Sequence, residues 1–351
     1  MMTDDELKYW VAWSRPGEMR GAQLLALQRA FGSLEAAWRA PAASLSGLVP
    51  RRYIAARASC DPQRTWEAVQ RPGQRILAFP DPDFPAPLRD IDDPPALLYV
   101  RGELPTWERA IAVIGARAAS PYGLRMAKRL GRDLAAVGAL VVSGAAYGID
   151  TAAHWGALEA GSTVAVLGCG LDQVYPHSNA RLYAEIAARG ALITEQAPDE
   201  RASKRSFPRR NRLIVGLSQG VVVVEASLKS GTSATVHLAQ NRGLDVFAVP
   251  GPADSPLSEG THNMLRDGAR LTTSLEDILD ELQWELQASP DPLAISPEAS
   301  GVLGLLASGP CPVDALMANG GLDAGHLAAT LLQLELAGLV AKLPGQRYEL
   351  V

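Results

Sequence analysis

The sequence predicts an α/β protein: a parallel β-sheet covered by helices, preceded by a helical module and followed by helices that end in a two-stranded wing. Three observations carry this. From about residue 110, short β-branched runs alternate with helical stretches. Ahead of them, residues 1 to about 72 place apolar side chains at helical spacing between Pro and Gly breakers. Behind them, the polar stretch Gln287-Ala288-Ser289-Pro290-Asp291-Pro292 reads as a linker to a last module. The 351 residues suit two or three domains. With 47% hydrophobic and 20% charged residues, wholesale disorder and collagen-like structure are excluded.

In the first module Leu24, Leu25, Leu27 and Phe31 form an apolar stripe, and Pro16-Gly17, Gly32-Ser33, Pro41 and Pro72-Gly73 interrupt it. The loop-rich Phe79–Pro85 and Asp93-Pro94-Pro95 lead into the apolar run Leu97–Val100. Six strands are then expected at Ile111–Ile114, Ala139–Val142, Thr163–Leu167, Ala191–Thr194, Val221–Val224 and Val246–Val249. The helix after the first carries Ala127, Leu130, Leu134 and Val137 on one face, and Asp150 is placed to cap the helix holding Ala153, Ala157 and Leu158. In the last module Leu327, Leu331 and Leu334 mark a helix face. Val340–Leu343 and Arg347–Val351 flank Pro344-Gly345-Gln346 as a hairpin, which suggests a winged helix. The domains expected are 1–72, 73–282 and 297–351.

No apolar run approaches the roughly 18 residues of a membrane helix. The acidic start Met1-Met2-Thr3-Asp4-Asp5-Glu6 does not read as a signal peptide, so the cytoplasm is the expected compartment. Cys60, Cys169 and Cys311 lie far apart with no CxxC pair, and His177, His237, His262 and His326 show no ligand spacing. Neither disulfide framework nor metal site is expected. The net charge of −5 confines any nucleic-acid footprint to a local patch.

Ligands of parallel α/β sheets sit beyond the carboxyl ends of the strands. Here the turns Gly115–Ser120, Ser143–Gly148, Gly168-Cys169-Gly170 and Ala226–Thr232 are rich in small residues. Such turns let backbone approach a ligand, and helix N-termini favour an anion. Together they suggest an anion groove, although any one of them reads equally as a tight βα turn. The GxGxxG dinucleotide pattern and the GxxxxGK[ST] phosphate loop are both missing. The richest cationic stretch is Arg201, Lys204, Arg205, Arg209, Arg210 and Arg212, with Phe207 among them. Cations interleaved with an aromatic suit a single strand held by charge and stacking. A solvated loop, broken at Pro208 and anchored by Phe207, is the alternative, and Asn211 is a candidate helix cap. Ser143, Asp150 and His154 are close in sequence but lack a nucleophile elbow, so no catalytic residue is assigned there.

These turns, in this order, resemble the DNA-processing protein A family (DprA, also called Smf). The resemblance runs from Phe84-Pro85-Ala86-Pro87-Leu88 through Ala112–Gly123, Ser143–His154 and Phe207–Ile214. It continues through Val224-Glu225-Ala226, Ser230-Gly231-Thr232 and Val249-Pro250-Gly251 to Arg266-Asp267-Gly268-Ala269, about 185 residues in all. It implies an extended Rossmann-like core that dimerises, binds single-stranded DNA without sequence preference in natural transformation (competence), and helps load the RecA recombinase. It implies no enzymatic turnover and no cofactor.

By the same resemblance Arg117 is the DNA-contacting arginine of the first βα turn, and Lys204 and Phe207 are the family's lysine and stacking aromatic. Ser143, Gly144, Ser230, Gly231 and Thr232 line the same pocket, with Arg209 and Asn211 at its rim. The first module resembles the SAM-like or helix-hairpin-helix extension of many members, and the last resembles the family's winged helix. Residues 297–351 hold five acidic against two basic residues. That net −3 suits protein contact better than duplex binding. The competing reading is a Rossmann-like nucleoside-monophosphate phosphoribohydrolase with Glu225 as acid or base, although Ser230-Gly231-Thr232 lacks the doubled glycine of such enzymes.

Overall fold

Thr3 opens the first helix, α1 (Asp4–Ser14), with a reciprocal cap. The Glu6 amide donates to the Thr3 hydroxyl, and the Thr3 amide donates to the Glu6 carboxylate at 2.9 Å. After it come α2 (Gly21–Phe31), α3 (Leu34–Arg39), α4 (Arg51–Arg57) and α5 (Pro62–Val69). The computed structural model describes residues 2–15, 19–228, 230–284, 297–307, 309–336 and 339–350. The Gln287–Pro292 linker and Val351 of the expected hairpin lie outside them.

The strands are β1 (Gln74–Ala78), β2 (Leu97–Gly102), β3 (Ala110–Ile114), β4 (Leu140–Ser143), β5 (Thr163–Val166), β6 (Ala191–Thr194), β7 (Gly220–Val223), β8 (Asp245–Ala248) and β9 (Arg270–Leu271). They form one sheet in the order β1-β2-β6-β5-β4-β3-β7-β8-β9. From β6 to β9 all neighbours are parallel. The six expected strands, β3 to β8, are all parallel as the alternation predicts, and the sheet is extended at one end by β2, which runs antiparallel to both β6 and β1. No helix longer than one turn separates β1 from β2, and only a parallel pair needs the long crossover.

The covering helices are α6 (Pro121–Ala136), α7 (Ile149–Ala160), α8 (Ala180–Arg189), α9 (Ser206–Gly216), α10 (Thr232–Asn241), α11 (Glu259–Arg266) and α12 (Glu276–Leu282). Alternation along β3 sorts them into layers. Ile111 and Val113 face Ala127, Leu130 and Leu134 of α6 and Ala153 of α7, while Ala110, Ala112 and Ile114 face Leu213 and Ile214 of α9 and Val236 of α10. The N-terminal helices share a third cluster with the sheet: Trp10, Trp13 and Leu24 pack with Leu97 and Tyr99 of β2 and with Ile186 of α8. Each tryptophan, 1% exposed, removes on the order of 200 Å² from water, about 5 kcal/mol of transfer free energy. Met1–Trp284 accordingly form one compact unit.

The chain leaves β3 through β4 and β5 to β6, then returns to β7 on β3's other side and continues outward to β9. The crevice beyond the carboxyl ends of β3 and β7 is therefore the sheet's topological switch point.

Glu285–Val351 form the second unit. Helices α13 (Pro297–Leu306), α14 (Val313–Gly320) and α15 (Ala324–Leu336) precede the strand pair β11 (Val340–Leu343) and β12 (Arg347–Leu350), and β10 (Cys311–Pro312) pairs with β12 as well. Leu327, Leu331 and Leu334 pack with Val302, Leu316 and Tyr348 in its core.

Candidate nucleic-acid interface

A cavity of about 480 Å³ occupies the switch point. The β3 turn supplies Gly115, Ala116 and Arg117 to its wall, α9 supplies Phe207, Arg210 and Asn211, and the start of α10 supplies Ser230, Gly231 and Thr232. The β3 turn is held from two sides: the Ala116 amide donates to the Glu225 carbonyl at 2.8 Å, and its carbonyl accepts from the Ile149 amide at 3.2 Å.

Arg117 and Phe207 of the lining stack on one another, and Tyr175, outside the lining, packs on Phe207. The Arg117 guanidinium lies 5.1 Å from the Phe207 ring centre, and the Tyr175 ring lies 5.3 Å from the same ring at 44°. Arg117 is exposed and Phe207 half-buried, and Tyr175 is 41% exposed. A Cβ at Gly168 would meet Phe207 Cδ1 at 2.8 Å, so the turn after β5 must be bare for the ring to seat. In the same lining, α10 begins at Thr232 directly after Ser230-Gly231, and Ser230 Oγ accepts from the Thr232 amide at 3.2 Å. A Cβ at Gly231 would meet nothing within 4 Å. The bare Gly231 leaves room for a ligand at this helix start, although the Thr232 and Ser233 amides already bond Ser230.

The floor holds two buried side chains of opposite charge, each bonded to backbone. Arg210, 6% exposed, donates through Nη1 to the Gly144 carbonyl at 2.8 Å and to the Val166 carbonyl. Asp150, also 6% exposed, accepts from the Gly144 and Ala146 amides at 3.1 and 3.3 Å. Burial pushes the Asp150 carboxyl above its ordinary value, opposed by Arg210 and the two amides. Burial likewise lowers Arg210, opposed by Asp150. The expected capping role of Asp150 is corrected: Gly148, at φ +74°, precedes α7, and Asp150 lies inside the helix with its carboxylate turned back to the loop. A Cβ at Gly148 would meet the Ala116 and Arg117 carbonyl oxygens at 2.3 and 2.6 Å.

His154 is fully buried. The Thr163 hydroxyl donates to the Val141 carbonyl and so accepts from His154 Nδ1 at 2.8 Å, leaving Nε2 bare. Burial, with Arg210 nearby, drives its pKa down to about 3.

The residues expected in the pocket separate into three groups. Arg117, Phe207, Asn211, Ser230, Gly231 and Thr232 line it. Ser143 and Gly144 lie behind the wall: the Ser143 hydroxyl donates to the Val113 carbonyl at 2.6 Å, and a Cβ at Gly144 would meet the Arg210 guanidinium at 2.3 Å. Lys204 is exposed on the approach to α9 and outside the lining, and Arg209 turns away toward Glu195. Arg212 takes the same direction, bonding Glu195 at 2.5 Å and facing Asp93 at 3.3 Å. Burial raises the Glu195 carboxyl, opposed first by Arg212 and then by Arg209.

The broken charged loop is instead largely helix, with Pro208 in the first turn of α9, where its missing N–H costs nothing. Asn211 does not cap that helix but donates across to Thr235 Oγ1 at 2.9 Å. Glu225, 3% exposed, is absent from the lining. The Ser120 amide and hydroxyl donate to its two oxygens at 2.9 and 2.5 Å, at the start of α6. Sequence reasoning missed Arg210, Asp150 and Tyr175. Arg210 stood in the cationic run and Asp150 beside Ser143, whereas Tyr175 carried no local signal.

Residues 75–283 match the family model described as DNA recombination-mediator protein A, and residues 285–346 match that of the DprA winged helix domain. The chain belongs to the DprA/Smf family. It is 39% identical to Protein Smf of Escherichia coli strain K12 over 290 residues, which are 79% of this chain and 78% of that one. It is 30% identical to Protein Smf of Synechocystis sp., over 99% of this chain and all of that one. Among solved structures, DprA from Streptococcus pneumoniae aligns with a TM-score of 0.69 and 33% identity, covering 80% of this chain and 98% of that chain. A DprA from Helicobacter pylori, described for its unique single-stranded DNA binding mode, aligns at 0.55 and 32% identity over 60% of this chain and 95% of that chain. The sheet is thus the Rossmann-like core of a DprA, and the second unit its winged helix.

Proposed function

We propose that this chain binds single-stranded DNA, without sequence preference and without turnover, as a mediator of recombination in the cytoplasm. The observation that carries the reading is the switch-point cavity. It gathers Arg117 and Phe207, which Tyr175 packs against, with the start of α10 in one lining, and a stacking aromatic beside cations and backbone amides suits a strand of bases and phosphates. The Helicobacter pylori relative supports it. In this reading, dimers protect incoming strands during natural transformation and hand them to RecA. The modules 1–72, 73–282 and 297–351 divide the work, with the acidic winged helix as a protein-contact surface. The phosphoribohydrolase reading is not favoured, because both Glu225 oxygens are engaged by Ser120.

Fluorescence anisotropy with labelled oligo(dT) and a matched duplex at two salt concentrations tests the binding. Tight, salt-sensitive binding to the single strand is expected, and Arg117→Ala should weaken it about tenfold and flatten the salt slope by about one unit. Unchanged affinity and slope would remove Arg117 from the site. Light scattering and a RecA strand-exchange assay test the dimer and the hand-over.

A further inference from the structure

Arg117 also lines a second cavity, of about 800 Å³. Leu124, Arg125 and Lys128 of α6 form one bank of this groove, and Tyr147 and Trp155, before and within α7, form the other. Tyr147 is 49% and Leu124 39% exposed, so the floor is apolar and open. Arg181 lies 5.6 Å from the Trp155 ring centre, repeating the arrangement of Arg117 on Phe207. The lining holds three cations and, among the described residues, no carboxylate. At its edge Glu159 pairs with Lys128 at 2.6 Å, leaving Arg117, Arg125 and Arg181 to set the sign of the groove. The Tyr147–Gly148 loop is fastened to the Arg117 turn by the bond from the Ile149 amide to the Ala116 carbonyl, and the two cavities share Arg117 and Ala118 in their walls.

We propose that this groove is a second base-stacking subsite for the same single strand. Tyr147 and Trp155 are its platform, and Arg125 and Arg181 are its phosphate contacts. An apolar floor with exposed rings and a cationic rim suits bases and phosphates together, and the shared Arg117 makes the occupant the strand already in the first cavity. The inference rests on the proposed single-strand binding and adds its path.

The full chain is titrated with labelled oligo(dT) of about 6 and about 20 nucleotides, spanning the range of single-strand site sizes. Wild type, Arg117→Ala and the double variant Tyr147→Ala, Arg125→Ala are compared, with Trp155→Leu as a second probe that keeps an apolar side chain. The double variant should bind the short strand like wild type and lose about tenfold on the long one. Ultraviolet crosslinks from the long strand should map to the Tyr147 peptide. Wild-type affinity for the long strand in both groove variants, with Arg117→Ala impaired, would overturn the subsite and leave the first cavity standing. A variant that loses self-association while keeping DNA affinity would assign the groove to a second copy of the chain and also overturn it. If wild type binds neither strand, the single-strand reading itself fails and the subsite with it.

Discussion

Gly144 and Gly231 are both glycines of strand-end turns, and they serve opposite ends. Gly144 is bare because the protein fills the space itself: the Arg210 guanidinium lies where a Cβ would be. Gly231 is bare with nothing near it and a backbone at φ −63° and ψ −13° that suits any residue. The first glycine is required by packing, and the second by nothing among the described residues. Glycines that look alike in a sequence thus divide into those that hold a site together and those that leave room in it.

The largest test of this contrast removes the filling. Arg210→Leu leaves Asp150 buried without the nearby opposite charge that favours its ionised form, and strips the Gly144 and Val166 carbonyls of their donor. A loss of about 3–5 kcal/mol in denaturant unfolding is expected, and a loss under 1 kcal/mol would mean that the pair does not hold the floor. Gly144→Ala should cost about 1–3 kcal/mol by overpacking against the buried guanidinium.

The acid limb of stability sharpens the picture behind the floor. With the His154 pKa at about 3 in the folded chain and about 6.5 unfolded, the unfolded state binds the extra proton between those values. Its contribution is therefore intact above pH 6.5 and lost as pH falls toward 3, by at most about 1.4 kcal/mol per unit. His154→Asn, which retains a donor for Thr163, should unfold more readily at pH 7 yet show a shallower slope over that window. An unchanged slope would place the titration elsewhere. The smallest effect belongs to Gly231→Ala, predicted to raise stability by about 0.5 kcal/mol while weakening oligo(dT) binding several-fold. Equal affinity would mean that no ligand approaches that amide.

The same division explains what could be read in advance. Strands β3 to β8 were legible because parallel strands buried on both faces are continuous apolar runs. β1, with only its last two residues buried, and β9, exposed throughout, carry no such signature. Within the site, Arg117 and Ser230-Gly231-Thr232 were legible because they lie in turns whose place at strand ends follows from the strand pattern alone. The cations of α9 were not separable, because helical periodicity tells which residues share a face but not what each face meets. Phe207, Arg210 and Asn211 meet the cavity, and Arg209 and Arg212 meet Glu195.

By itself, then, the amino-acid sequence determined the layered α/β core, the helical and winged-helix flanks, and the chain's resemblance to the DprA family. Each of these is written in local period, punctuation and motif order. Only the tertiary structure decided that Asp150 and Arg210 form the floor, that Glu225 anchors α6, that Tyr175 joins the stack on Phe207, and that Lys204 and Arg209 lie off the lining. Those outcomes depend on distances between residues up to about a hundred positions apart, such as Ser120 and Glu225. They are set by the order in which the strands pair, which no local pattern encodes.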